Sequence, residues 1–252
     1  MSSSPVCEYL NWDSEFFGRR IARVTARRLT SIANIETWCD AHKIDCLYFL
    51  ADSADQRTAR LAQENGFRFV DVRVMLDVRT TNASTTGDSA AGITIQNAVE
   101  ADIDALKALA RRSHRDTRFY FDGNFPVQRC DELYETWIEK SCRGWAKNVL
   151  VATNHGEVAG YISCHVSSAG GGQVGLMAVS EKAQGKGVGT ALVVKAVRWF
   201  SGEGIDRVSV VTQGRNVGAL RLYQKCGFTM RSVELWFHRW PVDALRGTLT
   251  GK

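Results

Sequence analysis

Two stretches of the sequence carry residue types and spacings that chemistry requires. The first reads Gln184-Gly185-Lys186-Gly187-Val188-Gly189-Thr190. It follows an alternating apolar stretch, QVGLMAV (173–179), and leads into the apolar run ALVVKAVRWF (191–200), so the spacing predicts strand, glycine-rich turn, helix. Glycines there let backbone N–H groups converge on a ligand, and a helix N-terminus adds positive partial charge. That chemistry suits phosphate. A Walker loop needs GxxxxGK[ST], and Gly185-Lys186 is followed by Gly187, so it does not fit. A dinucleotide fingerprint needs GxGxxG and an acid ending the next strand; here Thr190 takes the last glycine position, and Glu203 and Asp206 precede that strand. The second stretch is NVGALRLYQKC (216–226), which reads as a helix with Asn216 as its N-cap and Gly227 as the residue that ends it. It carries Tyr223, a phenol with an ordinary pKa of about 10, able to act as a proton donor.

Gln184, Gly187 and Gly189 fit the loop (Gln/Arg)-x-x-Gly-x-(Gly/Ala), and Asn216, Ala219, Leu222, Tyr223, Gly227 and Phe228 fit N-x-x-A-x-x-L-Y-x-x-x-G-F. With both motifs in strand–loop–helix–strand–helix–strand order, the chain resembles the GCN5-related N-acetyltransferases (GNAT). The resemblance implies an α/β (α+β) fold, with a central mixed, mostly antiparallel sheet flanked by helices. It implies acetyl-CoA or another short acyl-CoA as donor, and no metal. It places Gln184, Gly185, Lys186, Gly187, Val188, Gly189 and Thr190 around the CoA pyrophosphate. The backbone of Leu176, Met177 and Val179 would hold the pantetheine arm, with Asn216 and Ala219 beside it, and Tyr223 would be the general acid. Asn216 capping its helix, and Tyr223 packing in a core, are the structural readings of the same residues.

Further pieces, LNWDSEFFG, NGFRFVD, TRF, YETWIEKSCRG and VVTQGRN, resemble the sugar-nucleotide members of that superfamily, the dTDP-fucosamine acetyltransferase group. The resemblance implies acyl transfer to the amine of a dTDP-linked amino-dideoxyhexose, by direct transfer in a ternary complex. It assigns Asp71 a part in taking the amine proton, Arg118 to the diphosphate, Phe16, Phe17, Phe119 and Tyr120 to the thymine or the sugar pocket, and Gln213 to the acceptor. The plain alternatives are a solvated strand residue for Asp71, a surface salt bridge for Arg118 and core packing for the aromatics. Two other functions stand beside this one: acetylation of a protein, peptide or polyamine, and a CoA-binding protein without catalysis. The sequence leaves open whether the amine is on C3 or C4 of the sugar, and how long the acyl chain is.

The elements that must position these residues fall into two parts. Residues 80–92, TTNASTTGDSAAG, lack large apolar groups and read as a linker between a truncated GNAT-like part (1–79) and a complete catalytic domain (93–252). The phrase RLAQENGF (60–67) returns as RLYQKCGF (221–228) with five of eight positions identical. A shift of 161 residues aligns both, setting Leu47 on Val208 and Gly66 on Gly227, which predicts a duplicated strand–helix–strand unit whose first copy has Ala62 where the second has Tyr223. The aromatic stretch DTRFYFDGNFP (116–126) reads as a loop.

Bulk composition bounds the function. The 252 residues are 44% apolar and 23% charged, an ordinary globular balance, with a net charge of +5. Lysine and arginine are scattered rather than gathered in a stripe, which argues against a nucleic-acid partner and suits an anionic small molecule. Seven cysteines (Cys7, Cys39, Cys46, Cys130, Cys142, Cys164, Cys226) without a CxxC indicate reduced, cytoplasmic usage. The start shows no signal-peptide pattern and no apolar run approaches about 18 residues, so no membrane partner is expected. A homodimer is the expected assembly.

Overall fold

The structure is a computed structural model that describes residues 5–83 and 92–241. Residues 84–91, most of the expected linker, lie outside the described residues. The chain forms two compact units: Met1–Arg73, Thr117–Arg129 and Val233–Lys252 make the first, and Val74–Asp116 with Cys130–Ser232 the second. This differs from a division at residues 80–92.

In the first unit β1 (Cys7–Tyr9), α1 (Asn11–Phe17), β2 (Ile21–Val24), α2 (Ala33–His42), β3 (Cys46–Asp52) and α3 (Gln56–Glu64) lead into β4 (Arg68–Arg79). The strand order is β1-β2-β3-β10-β4, where β10 is Thr229–Arg239. Strand β3, CLYFLAD, is buried along nearly its whole length because both faces are covered, so its apolar run does not alternate. It lies parallel to β2, the crossover being α2, and antiparallel to β10 from Leu47↔Arg239 to Asp52↔Glu234. The aromatic stretch read as a loop contains a short helix, α5 (Arg118–Asp122), ended by Gly123 in the left-handed region at φ 78°. It joins this unit because its rings pack there: Phe119 is 5.5 Å from Phe17 and Phe125 is 4.5 Å from Phe17.

The second unit carries β5 (Ile93–Asn97), α4 (Ile103–Ser113), α6 (Val127–Lys140, most of whose length lies here), β6 (Asn148–Asn154), β7 (Glu157–Val166), β8 (Gly172–Val179), α7 (Val188–Gly202), β9 (Arg207–Gln213) and α8 (Val217–Lys225). The strand order here is β9-β8-β7-β6-β5. Strands β5 to β8 pair antiparallel, and β8 runs parallel to β9. The β6–β7 turn is made by His155 and Gly156, both at positive φ (48° and 83°), the backbone twist a two-residue hairpin requires. Helix α7 buries Val188, Leu192, Val193, Ala196 and Phe200, a broad apolar face.

The repeated phrase is matched by repeated elements. Shifted by 161 residues, β3 falls on β9, α3 on α8, and β4 on β10 to within one residue at the end. Both helices have a capping side chain at the equivalent position: Asp55 accepts from the N–H groups of Arg57 and Thr58, and Asn216 from that of Ala219. Both are followed by a left-handed glycine, Gly66 at φ 75° and Gly227 at φ 92°.

Candidate active site

The site begins with a break in hydrogen bonding inside the second unit. Strands β8 and β9 pair at Gly172↔Val208, Gln173↔Ser209 and Val174↔Val210, and no further. Both strands continue, to Val179 and Gln213, without pairing to each other. The cause is on the other edge of β8. Between the pairs Cys164↔Val174 and Ile162↔Met177, the two residues Gly175 and Leu176 face the single Ser163, which is a β-bulge that bends β8 away. Ser163 Oγ holds it, accepting from the Leu176 N–H at 2.8 Å and approaching its carbonyl at 3.4 Å. A glycine is needed at 175, since a Cβ there would lie 2.5 Å from His165 Nε2.

Beyond the break lies a cleft of about 1330 Å³, lined by the end of β8, the 180–190 loop, α8 and one face of α4. The loop is built as its glycines predict. Gly185 and Gly187 sit at φ 75° and 85°, a region costly for any other residue. Gly187 is the N-cap of α7 and no side chain caps that helix; the first intrahelical bond is from the Ala191 N–H to the Gly187 carbonyl. The preceding N–H groups, from Val188 to Thr190, are those a helix N-terminus offers to an anion. Gln184 braces the loop by donating its side-chain N–H to the Val179 carbonyl at 3.3 Å. Gly189 serves close approach: a Cβ there would lie 3.1 Å from Leu222 and 3.4 Å from Met177. Arg112, Lys182, Lys186 and Lys225 bring positive charge to the walls, with Asp116, Glu157 and Glu181 opposing.

Of the residues assigned to the cofactor, Met177, Val179, Gln184, Gly185, Lys186, Gly187, Val188, Gly189, Thr190, Asn216 and Ala219 all line this cleft. Leu176 does not, because the bulge turns its N–H to Ser163. Asn216 lines the cleft and caps α8, its Oδ1 accepting from the Ala219 N–H at 3.0 Å. Tyr223 also lines the cleft. Its residue is 5% exposed, its hydroxyl lies 3.6 Å from Met177 Sδ, and burial pushes its pKa up. At neutral pH it therefore holds its proton. Cys226, the cysteine nearest in sequence, is buried with its thiol pushed up to about 11 by burial, and no cysteine is among the cleft residues.

The residues assigned to the acceptor are divided. Gln213 ends β9 in the second unit and its carbonyl accepts from the Asn216 N–H. Asp71, Phe16, Phe17, Arg118, Phe119 and Tyr120 belong to the first unit. Asp71 is buried, at 3% exposure, rather than solvated, and its Oδ1 accepts from the Val72 N–H at 2.9 Å. Phe119 is 2% exposed, packed by Phe17 and Phe125 and covered by the Arg118 guanidinium at 4.3 Å, so its ring offers no open face to a ligand. Phe16 is half-buried between Trp12, stacked at 5.0 Å, and Arg129, at 4.2 Å over the ring. Phe17 and Tyr120 are half-buried as well. Among the described residues Arg118 makes no salt bridge: it donates to His238 Nε2 at 3.0 Å and lies 4.3 Å over the rings of Tyr48, Phe119 and Trp236.

Sequence reasoning missed one wall of the cleft. Ala105, Ala108, Leu109 and Arg112 of α4 line it. The core stripe is Ile103, Leu106 and Ala110. The small Ala105 and Ala108 on the adjoining face were the available signal. Sequence reasoning also missed His238 and Asp122. With Cys46 these two place ligand-type atoms within 4.8 Å of one another, but His238 Nε2 faces the Arg118 guanidinium, whose charge opposes a cation there.

The chain matches the family described as acetyltransferase (GNAT) over residues 109–228. It is 30% identical to the dTDP-fucosamine acetyltransferase of Escherichia coli O6:H1 over 242 residues, covering 92% of this chain and 97% of the relative. It is also 30% identical over 140 residues to the spore coat polysaccharide biosynthesis protein SpsD of Bacillus subtilis, covering 56% of this chain and 48% of that protein. Among solved structures, a GCN5-related N-acetyltransferase from Sphaerobacter thermophilus matches with a TM-score of 0.62 at 16% identity, over 93% of this chain and 76% of that one. A phosphate-suited loop, a parted strand pair and a protonated tyrosine agree with those matches, and the chain belongs to the GNAT acetyltransferase family, as an N-acyltransferase.

Proposed function

We propose that the protein transfers an acetyl or other short acyl group from CoA to the amine of a dTDP-linked amino-dideoxyhexose. The observation that carries this reading is the similarity to a dTDP-fucosamine acetyltransferase along nearly the full length of both chains. The cleft supports the donor half. Its length of loop and parted strands suits an extended ligand with a pyrophosphate, held by N–H groups from Val188 to Thr190 and the side chain of Lys186. Backbone groups of Met177 and Val179, which β9 leaves unpaired on that side, would hold the pantetheine amides.

The chemistry is a direct transfer. The acceptor amine loses a proton and attacks the thioester carbonyl; the tetrahedral oxyanion collapses, the C–S bond breaks, and the CoA sulfur takes a proton. Tyr223 gives that proton as general acid and regains one from solvent. Burial raises the pKa of Tyr223, which keeps the phenol protonated until negative charge develops on the departing sulfur. A covalent acyl-enzyme is disfavoured because no cysteine lines the cleft. Asp71 is assigned the amine proton, through water, and Phe16, Phe17, Tyr120 and Gln213 the acceptor.

The test is a panel of dTDP-aminosugars, polyamines and a lysine peptide, each with several acyl-CoAs, read by release of free thiol. Turnover confined to the sugar nucleotides is the expected result. Turnover confined to polyamines or peptide, or none at all, overturns the reading.

A further inference from the structure

Arg118 is held in an unusual way within the first unit. Helix α5 clamps one imidazole by both nitrogens. Asp122 accepts from His238 Nδ1, and four residues earlier Arg118 donates to His238 Nε2 at 3.0 Å. A ring that donates at Nδ1 and accepts at Nε2 is neutral and fixed in one tautomer. Asp122 is itself oriented by Trp240 Nε1, at 3.0 and 2.9 Å to its two oxygens, and by Asn124 Nδ2 at 2.6 Å. His238 is 0% exposed and Asp122 6%, so the arrangement is dry. Tyr48 stacks on the histidine at 4.5 Å.

The result for Arg118 is a guanidinium held in one orientation. Its hydrogen bond goes to a neutral acceptor, and among the described residues it forms no salt bridge. Asp13 of α1 feels its field without a direct bond to it. Three rings at 4.3 Å hold its plane, and the residue remains half-exposed. A guanidinium so oriented, with N–H groups to spare, is matched to a phosphate oxygen pair.

We propose that His238 and Asp122 are positioning residues that aim Arg118 at a phosphate group of the acceptor, by fixing the histidine tautomer. This rests on the sugar-nucleotide reading of the acceptor. Phosphate also occurs in CoA, so the experiment separates the two sources. KM for the dTDP-aminosugar and for acyl-CoA is measured in wild type, Arg118→Met and Asp122→Ala, with dTDP as a competitive probe. The tautomer of His238 is read by ¹⁵N NMR.

In wild type the Nδ1–H form is expected. In both variants the acceptor KM and the dTDP inhibition constant rise roughly 10–100-fold while the acyl-CoA KM holds, the loss of one charge-assisted hydrogen bond. Asp122→Ala additionally releases the tautomer. If Asp122→Ala does not fold, Arg118→Met and the wild-type spectrum still decide. An acceptor KM within two-fold of wild type in Arg118→Met, an acyl-CoA KM that rises equally, or an Nε2–H tautomer in wild type overturns the inference. Wild type that acylates no sugar nucleotide overturns the underlying reading instead.

Discussion

Tyr223 gains its meaning from where its proton sits. Buried beside Met177 Sδ, with its pKa pushed up by burial, it holds its proton at neutral pH, as the proposed general-acid role requires. Replacing it with phenylalanine keeps the ring and removes the proton. We expect Tyr223→Phe to lower kcat roughly 10²–10⁴-fold and leave acyl-CoA binding unchanged, measured by thiol release and by calorimetry. Unchanged kcat would remove the general-acid role. The tyrosine and the 184–190 loop were readable in the sequence because fixed short spacings carry them. Arg118 was readable as a candidate, but not what orients it: Asp122 and His238 are 116 residues apart in sequence, and no local pattern joins them.

The repeated strand–helix–strand elements let one sequence device be compared in two settings. Asp55 and Asn216 occupy equivalent N-cap positions, and only Asn216 also lines the cleft. Each alanine substitution removes a side-chain acceptor from a helix start and is expected to cost about 1 kcal/mol in chemical denaturation. Only Asn216→Ala should also weaken acyl-CoA binding; equal effects of the two on CoA affinity would contradict the placement. The strands and long helices were legible because their apolar periods are long enough to register. Five-residue α5 was not, since it is too short to show a 3.6-residue period and its aromatic run reads equally as loop. The β8 bulge was also hidden, because Gly175 in a strand marks a bulge only once its partner Ser163 is known.

For the whole molecule, buried neutral histidines set the response to acid. Burial lowers His238 from 6.5 to about 4, with Arg118's charge adding to that and Asp122 opposing it. His114, packed against Tyr134 and hydrogen-bonded to Tyr161 at 2.9 Å, is likewise lowered to about 4 by burial. Unfolded, each takes a proton near 6.5. The fold is therefore fully favoured above that pH, loses stability as pH falls through 6.5 toward 4, and loses no more from these groups below it. Roughly 2 kcal/mol per histidine should be lost between pH 7 and pH 5, seen in urea denaturation, and His114→Gln should remove its share. A flat stability across that range would show that one or both rings are charged in the fold.

Division at the 80–92 segment was a reasonable inference from composition, but the first unit draws residues from three separate stretches, the last of them beginning at Val233. During synthesis, that unit cannot be finished until the chain through β10 has left the ribosome. Until β10 arrives, β3 has an open hydrogen-bonding edge and the Arg118–Asp122 clamp has no imidazole to grip. A chain halted after Arg231 should therefore be insoluble or chaperone-bound, even though it holds the glycine loop and Tyr223. Soluble, CoA-binding protein from such a chain, read by thermal shift, would show that the second unit folds without its neighbour's last strand.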